Sequence, residues 1–474
     1  MKHLLLILLF CFSSFCLSSR EQETYFALAP LKVFTSFNSA YDYGQNDGAL
    51  WQGRGINGTF SSGFIVKTEY LELSFIPLVW FSQNLDYEIM PSVTENEYGY
   101  ISGGIDFPQR MGPDSIFAFS WGESVLRLNW KVLTLGIGTE TLVAGPGAYN
   151  QLLFSGNAEG FPHIDLGINN WITRAGRIDY SLIWGLLDES SFYDSNPDNN
   201  STYLGGLIFE YSPSFIRGLT LGFNRALIID GQDFEPLLSL SLLDPTLTGL
   251  WGDGYGYDLA NQLASATAMW NFPSVGFTAY LEYFKEDYTK LRSLVTVPGH
   301  AAGYTAGFSQ VIDLPWPEKY LTLGFEHTDM EQSRDYELAL SVVPGLYYSH
   351  HFVDHGYTHK GQLIGGAVGP GGNMQTLKVD YYDTWGRVGA LLRRHANNLD
   401  YLYHEAWTDP AWVPSFDNRN RIPAEITYGI DWEITLLEFI LSGEVSVSHY
   451  LNRHYIKSND LVNVHGSLGL TYHF

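Results

Sequence analysis

Four histidines stand close together at His350, His351, His355 and His359. On a helix, residues four apart share a face, and several imidazoles so stacked would suit a metal ion. The residues between them, Phe352-Val353 and Gly356-Tyr357, are those of strand and turn, where that spacing shares a face only roughly. No H-E-x-x-H pattern occurs, so the sequence gives neither a metal ligand set nor a cofactor. The histidines read instead as pore-lining, saccharide-bonding or structural. Ser349-His350 and Asp354-His355 hold ingredients of nucleophilic hydrolysis without a recognisable arrangement. There is no G-x-S-x-G elbow and no Walker or dinucleotide glycine pattern between strand and helix. With 51 acidic residues, any one carboxylate pair is uninformative. The chain is expected not to be an enzyme.

A second chemistry is open to the aromatic residues. Tyr193, Trp251, Tyr255, Tyr257, Trp407 and Trp412 all sit in Gly-, Asp- or Pro-rich loop sequence. An aromatic face can stack on the apolar face of a sugar ring while amides and hydroxyls bond its rim. The same residues would also serve as interface anchors or loop packing. Acidic runs such as Glu95 to Glu97, Asp194 to Asp198 and Asp329 to Asp335 read as solvated loops, with divalent cation bridging as the functional alternative. A net charge of -25 excludes nucleic acid as a partner, since phosphates need clustered Lys and Arg.

The elements that must carry these residues are strands. Val462, Val464, Leu468, Leu470, Tyr472 and the terminal Phe474 share one parity, and Asn463, His465, Ser467, Gly469, Thr471 and His473 the other. Such a strand has one apolar and one polar face, and at the end of a membrane barrel it must pair with the first strand to leave no open edge. Leu219-Leu221-Phe223, Leu321-Leu323-Phe325 and Leu133-Leu135-Ile137 repeat the pattern against small or polar neighbours. Mean hydropathy is -0.07, and beyond residue 20 nothing approaches the ~20 apolar residues of a membrane helix, so a helical membrane protein is excluded. Met1-Lys2-His3, the apolar Leu4 to Cys16 and the small Leu17-Ser18-Ser19 read as a secretory signal peptide over 1–19, leaving 20–474 as one barrel domain. Both cysteines, Cys11 and Cys16, fall in that leader, so the mature barrel carries no disulfide. Ser212-Pro213-Ser214 and Pro315-Trp316-Pro317 look like short periplasmic turns, whereas Asn196 to Asn200, Asp230 to Gln232 and Gly252 to Gly254 look like larger loops. At about 25 residues per strand and connection, the length implies an all-β, antiparallel up-and-down barrel of about eighteen strands, with sixteen as the alternative. Ala260 to Trp270 fits a short helix or a strand.

Two patches remain. In the first, Gly145-Pro146-Gly147 is followed by Leu152-Leu153-Phe154-Ser155, Asn157-Ala158 and Phe161-Pro162. The second runs from His355-Gly356-Tyr357-Thr358-His359-Lys360-Gly361 to Gly365-Gly366. Their order resembles the capsule assembly proteins, the Wzi-like family, over most of the chain. Glu159-Gly160 departs from the small and proline residues usual there, and the start of the chain leaves little room for the periplasmic helical bundle of enterobacterial relatives. The resemblance implies a monomeric outer-membrane barrel that holds capsular polysaccharide at the cell surface without catalysis. Its implied partners are that polysaccharide, outer-membrane lipid and lipopolysaccharide, and the barrel-insertion machinery. Read from its residues alone, the first patch is a rigid turn, and either a structural inward-folding loop or a constriction of the lumen. The competing function is a cation-preferring, substrate-selective porin, and the discriminating feature is whether the lumen is open.

Overall fold

The computed structural model describes residues 24–102, 104–231, 260–286, 298–333, 347–350, 353–408 and 418–474. The expected signal peptide and the loop positions Trp251, Tyr255, Tyr257 and Trp412 lie outside them. Twenty antiparallel segments form one closed sheet. Two pairs of segments are single strands interrupted partway, so the wall has eighteen strands. In chain order they are β1 (Tyr25–Asn38), β2 (Gly55–Lys67), β3 (Leu71–Phe75 and Leu78–Ser82), β4 (Ile116–Ser120 and Val125–Trp130), β5 (Leu133–Gly138) and β6 (His163–Ile172). Next come β7 (Gly176–Asp188), β8 (Ser201–Pro213), β9 (Leu219–Asp230), β10 (Ala260–Phe272), β11 (Phe277–Lys285) and β12 (Ala302–Asp313). The wall ends with β13 (Tyr320–Asp329), β14 (Asn373–Asp383), β15 (Gly386–Ala396), β16 (Ala424–Leu436), β17 (Phe439–Leu451) and β18 (Leu461–Tyr472).

The breaks have local causes. Pro77 has no N–H to offer the ladder, so β3 is interrupted there. The facing interruption of β4 contains Gly122 at φ +55, where a Cβ would come within 2.4 Å of the Ile76 carbonyl. The Ala260 to Trp270 segment is strand: it pairs with β9 from Ile229↔Ala260 to Leu219↔Trp270 and with β11 on its other side. A helix there would leave two unpaired edges in the wall.

Closure follows the terminal alternation. β18 pairs with β17 and with β1, from Leu31↔Tyr472 to Asn38↔His465. Val462, Val464 and Leu468 point outward and exposed, while Asn463 and His465 are buried inside. Outward apolar rows such as Leu126-Leu128, Ile164-Leu166 and Tyr428-Ile430 continue the belt around the barrel. Aromatic pairs ring one end: Trp270 on Phe272 at 4.9 Å, Tyr320 on Tyr382 at 4.5 Å, and Phe439 on Tyr472 at 4.8 Å. That end carries the short turns, Pro273–Val275 and the segment around Trp316 among them, and is the periplasmic side of such a barrel. Among the described residues no helix is long and apolar enough to cross a bilayer. The one described α-helix, α1 (Leu399–Thr408), lies in a long connection at the opposite end.

The main apolar core lies inside the barrel. Leu152, Leu153, Phe154, Tyr348, Tyr357 and Val368, all from connections, pack with inward wall residues including Ile183, Leu204, Ile228, Leu263 and Phe284.

Candidate functional site

The connection between β5 and β6 turns into the lumen. Its entry is shaped at Gly145, φ +122, where a Cβ would stand 2.9 Å from a Glu282 carboxylate oxygen. At Gly147 a Cβ would stand 2.2 Å from the Asn150 carbonyl, so only glycine fits the close turn. Backbone N–H groups carried into the barrel need acceptors, and two wall carboxylates supply them. Glu326 of β13 accepts from the backbone of Ala148, of Tyr149 at 3.2 Å to each oxygen, and of Asn150 at 2.9 Å, with Tyr280 Oη donating to it at 3.0 Å. Glu282 of β11 accepts the Leu152 N–H at 2.9 Å.

The second patch locks onto the first. Ser155 Oγ donates to the Gly365 carbonyl at 2.7 Å, and its N–H to the Ile364 carbonyl at 2.9 Å. Asn157 Nδ2 donates to the Leu363 carbonyl at 3.2 Å, and the Val368 N–H to Asn150 Oδ1 at 2.9 Å. Tyr348 Oη donates to the Leu152 carbonyl at 2.7 Å and accepts the Gly366 N–H at 3.1 Å. Its ring lies where any Cβ at Gly365 would be, within 2.4 Å. Ala158 and Phe161 are buried in the same cluster, and the Pro162 carbonyl accepts the Leu186 N–H of β7 at 2.9 Å. Two patches about two hundred residues apart thus make one plug. Gly356 and Gly361, at φ +70 and +79, shape the turns of the small hairpin Thr358–His359/Gln362–Leu363.

The histidines wedge the plug against the wall. His355 Nε2 bonds Thr202 Oγ1 of β8, and His359 Nδ1 accepts the Asp188 N–H at the end of β7 at 3.0 Å. Both are fully buried, so neither faces an open pore. His350 makes an isolated bridge to Val353, and His351 lies outside the described residues. Burial pushes His355 down to about 4 and His359 to about 3. The sign follows: below the unfolded value of 6.5 the unfolded chain takes up a proton that the native site refuses, so stability is lost as pH falls from about 6.5 to about 4. Asp106, whose N–H donates to the His355 carbonyl at 3.0 Å, is pushed up to about 6 by burial and works the other way. A difference measurement removes that opposition. His355→Gln should be less stable than the parent at pH 7.5, and urea titrations should show the gap narrowing by about 3 kcal/mol by pH 4. A gap independent of pH would show that His355 is not held neutral.

At the outer mouth, Tyr193 Oη donates to the Asp354 carbonyl, and Asn199 Nδ2 donates to Asp194 at 3.1 Å and Asp354 at 3.0 Å. Burial, then the charges of Asp194, Asp106 and Asp354, push Glu189 up to about 8. Of the six aromatic candidates, Tyr193 alone is described in side-chain detail. Trp407 falls on α1. On the periplasmic side of the plug, a cavity of about 370 Å³ is lined by charged residues, among them Arg127, Asp165, Arg177 and Glu210, together with Ile168 and Ile208. The wall residues Glu282 and Glu326 were not singled out from sequence, although an acidic residue at a lumen-facing position of an alternating strand was their signal.

These features define a class: a closed eighteen-stranded β-barrel of the outer membrane whose lumen is filled by its own inward loops. The family model of the capsule assembly protein Wzi matches residues 34–447, and the chain belongs to that family. Among solved structures, Wzi of Escherichia coli, described as an outer-membrane, carbohydrate-binding β-barrel involved in group 1 capsule assembly, is similar over 94% of this chain and 85% of that one. The TM-score is 0.62 at 15% identity. Pseudomonas aeruginosa OccK2 (OpdF) and Acinetobacter baumannii OccAB2 each give a TM-score of 0.44, at 11% and 12% identity. The first covers 95% of this chain and 97% of its own, and the second 94% and 98%. No curated protein sequence matches the chain.

Proposed function

We propose that this capsule assembly barrel is a non-catalytic, lectin-like anchor that binds capsular or exopolysaccharide at its outer mouth. The observation that supports this most is the plug: two wall carboxylates and a buried apolar core occupy the volume a diffusion pore would keep wet. Sugar contact would fall to the mouth loops, with Tyr193, Trp251, Tyr255, Tyr257, Trp407 and Trp412 as platforms. The barrel would act as a monomer, delivered by removal of residues 1–19 and inserted by the barrel-assembly machinery among lipid and lipopolysaccharide. Its charge of -25 favours neutral sugars or cation-bridged acidic ones.

The test is single-channel conductance in planar bilayers together with retention of the organism's own polysaccharide on a column. A closed barrel that retains polysaccharide, and releases it as Trp251→Ala/Trp412→Ala, is the expected outcome. Steady channels of porin size, indifferent to polysaccharide, would make this a diffusion pore instead.

A further inference from the structure

The two feet of the plug connection meet at a group of side chains that capsule binding does not use. Glu140 lies two residues beyond the end of β5, and His163 opens β6, so the chain between them is the inward loop itself. A ring nitrogen of His163 and one carboxylate oxygen each from Glu140 and Asp165 lie within 4.8 Å of one another. His163 and Asp165 are alternate residues of one strand and therefore share its lumen face. Opposite Asp165 stands Gly136, where a Cβ would fall 2.0 Å from Asp165 Oδ2, so the absent side chain makes room for the carboxylate.

The imidazole is set as a metal-binding imidazole is. Its Nδ1 lies 2.8 Å from the Phe161 carbonyl, which can only accept, so Nδ1 carries the proton and Nε2 keeps its lone pair. His163 is 3% exposed, and its Nε2 is buried with no hydrogen-bond partner among the described residues. A buried acceptor in that condition calls for a ligand. Arg127 is the competing cation, with Nη2 bonded to Glu140 Oε1 and at 2.9 Å to Asp165 Oδ2. Each carboxylate has a second oxygen, however, and at Glu140 that oxygen is reached by Arg127 only through Nη1 at 3.5 Å. Arg127 can hold the outer ones as a second shell, since two carboxylates and one guanidinium still leave a net negative charge.

We propose that Glu140, His163 and Asp165 bind one divalent transition ion of the zinc type, which staples the two feet of the plug. One imidazole with two carboxylates is a donor set such ions accept, with water completing the shell. The 370 Å³ cavity, which Asp165 and Arg127 also line, gives the ion an entry path from the periplasmic side. Joining the feet of a long loop restricts its opening, so the ion stabilises the closed plug.

The test uses the full-length barrel in detergent, freed of metal and titrated with Co²⁺ and then Zn²⁺. One Co²⁺ per barrel, with visible d–d absorption that Zn²⁺ abolishes, is expected. His163→Gln and Asp165→Asn should each weaken Co²⁺ binding at least 100-fold while keeping the heat-modifiable barrel band. Should a strand variant fail to fold, Glu140→Gln lies beyond the strand and should still weaken binding 10-fold or more. No Co²⁺ or Zn²⁺ uptake by the parent, or uptake unchanged in these variants, overturns the proposal. Either result is independent of polysaccharide binding.

Discussion

Replacing Glu326 by Ala should turn a closed barrel into a conducting one. The carboxylate takes the N–H groups of Ala148, Tyr149 and Asn150, the Asn150 side chain at 3.3 Å, and the Tyr280 hydroxyl. Alanine supplies no acceptor, so the buried Asn150 N–H would lose its partner, at about 1–3 kcal/mol, and the N–H groups of Ala148 and Tyr149 nearer the lumen water would lose theirs at a smaller cost. The barrel wall does not depend on Glu326, because β13 is paired along its length with β12 and β14. The plug therefore gives way before the wall: its N–H groups regain partners by moving out to water. Planar-bilayer recordings should show steps from Glu326→Ala where the parent is silent, at an unchanged strand signal in circular dichroism. Glu326→Gln keeps one acceptor oxygen but turns an NH₂ toward donors, so it should open intermittently. A silent Glu326→Ala barrel as resistant to urea as the parent would show that these bonds do not hold the plug.

The wall was legible because its rule is local. The parity of Val462 to Phe474 requires only period two and a lipid outside, and β18 closes on β1 as that parity demands. Pro213 and the Trp316 segment mark turns by local backbone chemistry, and both connections are short. The plug was half legible. Gly145-Pro146-Gly147 announced a rigid turn, yet the carboxylates that accept the loop's N–H groups, Glu282 and Glu326, stand 130 and more residues away. The four-residue spacing of His355 and His359 would share a face only on a helix, and Gly356-Tyr357 between them spoke for strand and turn. Each meets a different wall strand, since the chain turns at Gly356, φ +70, between His355 and the hairpin strand that carries His359. The Glu140 and His163-x-Asp165 group escaped notice for the same reason: the alternation was present, but its third member joins only when the loop closes.

If the plug is one unit because its two patches are bonded, Tyr348 is the residue whose loss should divide it. Its ring packs on Phe284 at 5.5 Å and Tyr357 at 6.1 Å, and its hydroxyl joins Leu152 of the first patch to Gly366 of the second. Its own N–H goes to Glu286 at 3.0 Å, and its carbonyl accepts from Tyr357 at 2.7 Å. The side chain is therefore a tie between patches, while the backbone stays fixed by others. Tyr348→Ala removes a fully buried aromatic, at about 3–5 kcal/mol, and leaves the Leu152 carbonyl and Gly366 N–H without partners. Tyr348→Phe keeps the ring and loses only the bonds, at about 1–3 kcal/mol. Limited proteolysis from the outer side should then cut Tyr348→Ala within 139–162 and 353–372 at least tenfold faster than the parent, with Tyr348→Phe between them. The contrast with Glu326→Ala is the informative part. Releasing the first patch from the wall should open conductance while the second patch stays protected. Splitting the patches should expose both loops even with Glu326 and Glu282 still holding Asn150 and Leu152. Identical cleavage patterns in the two variants would mean that the plug leaves the lumen as a single rigid body, and that the Tyr348 tie is redundant.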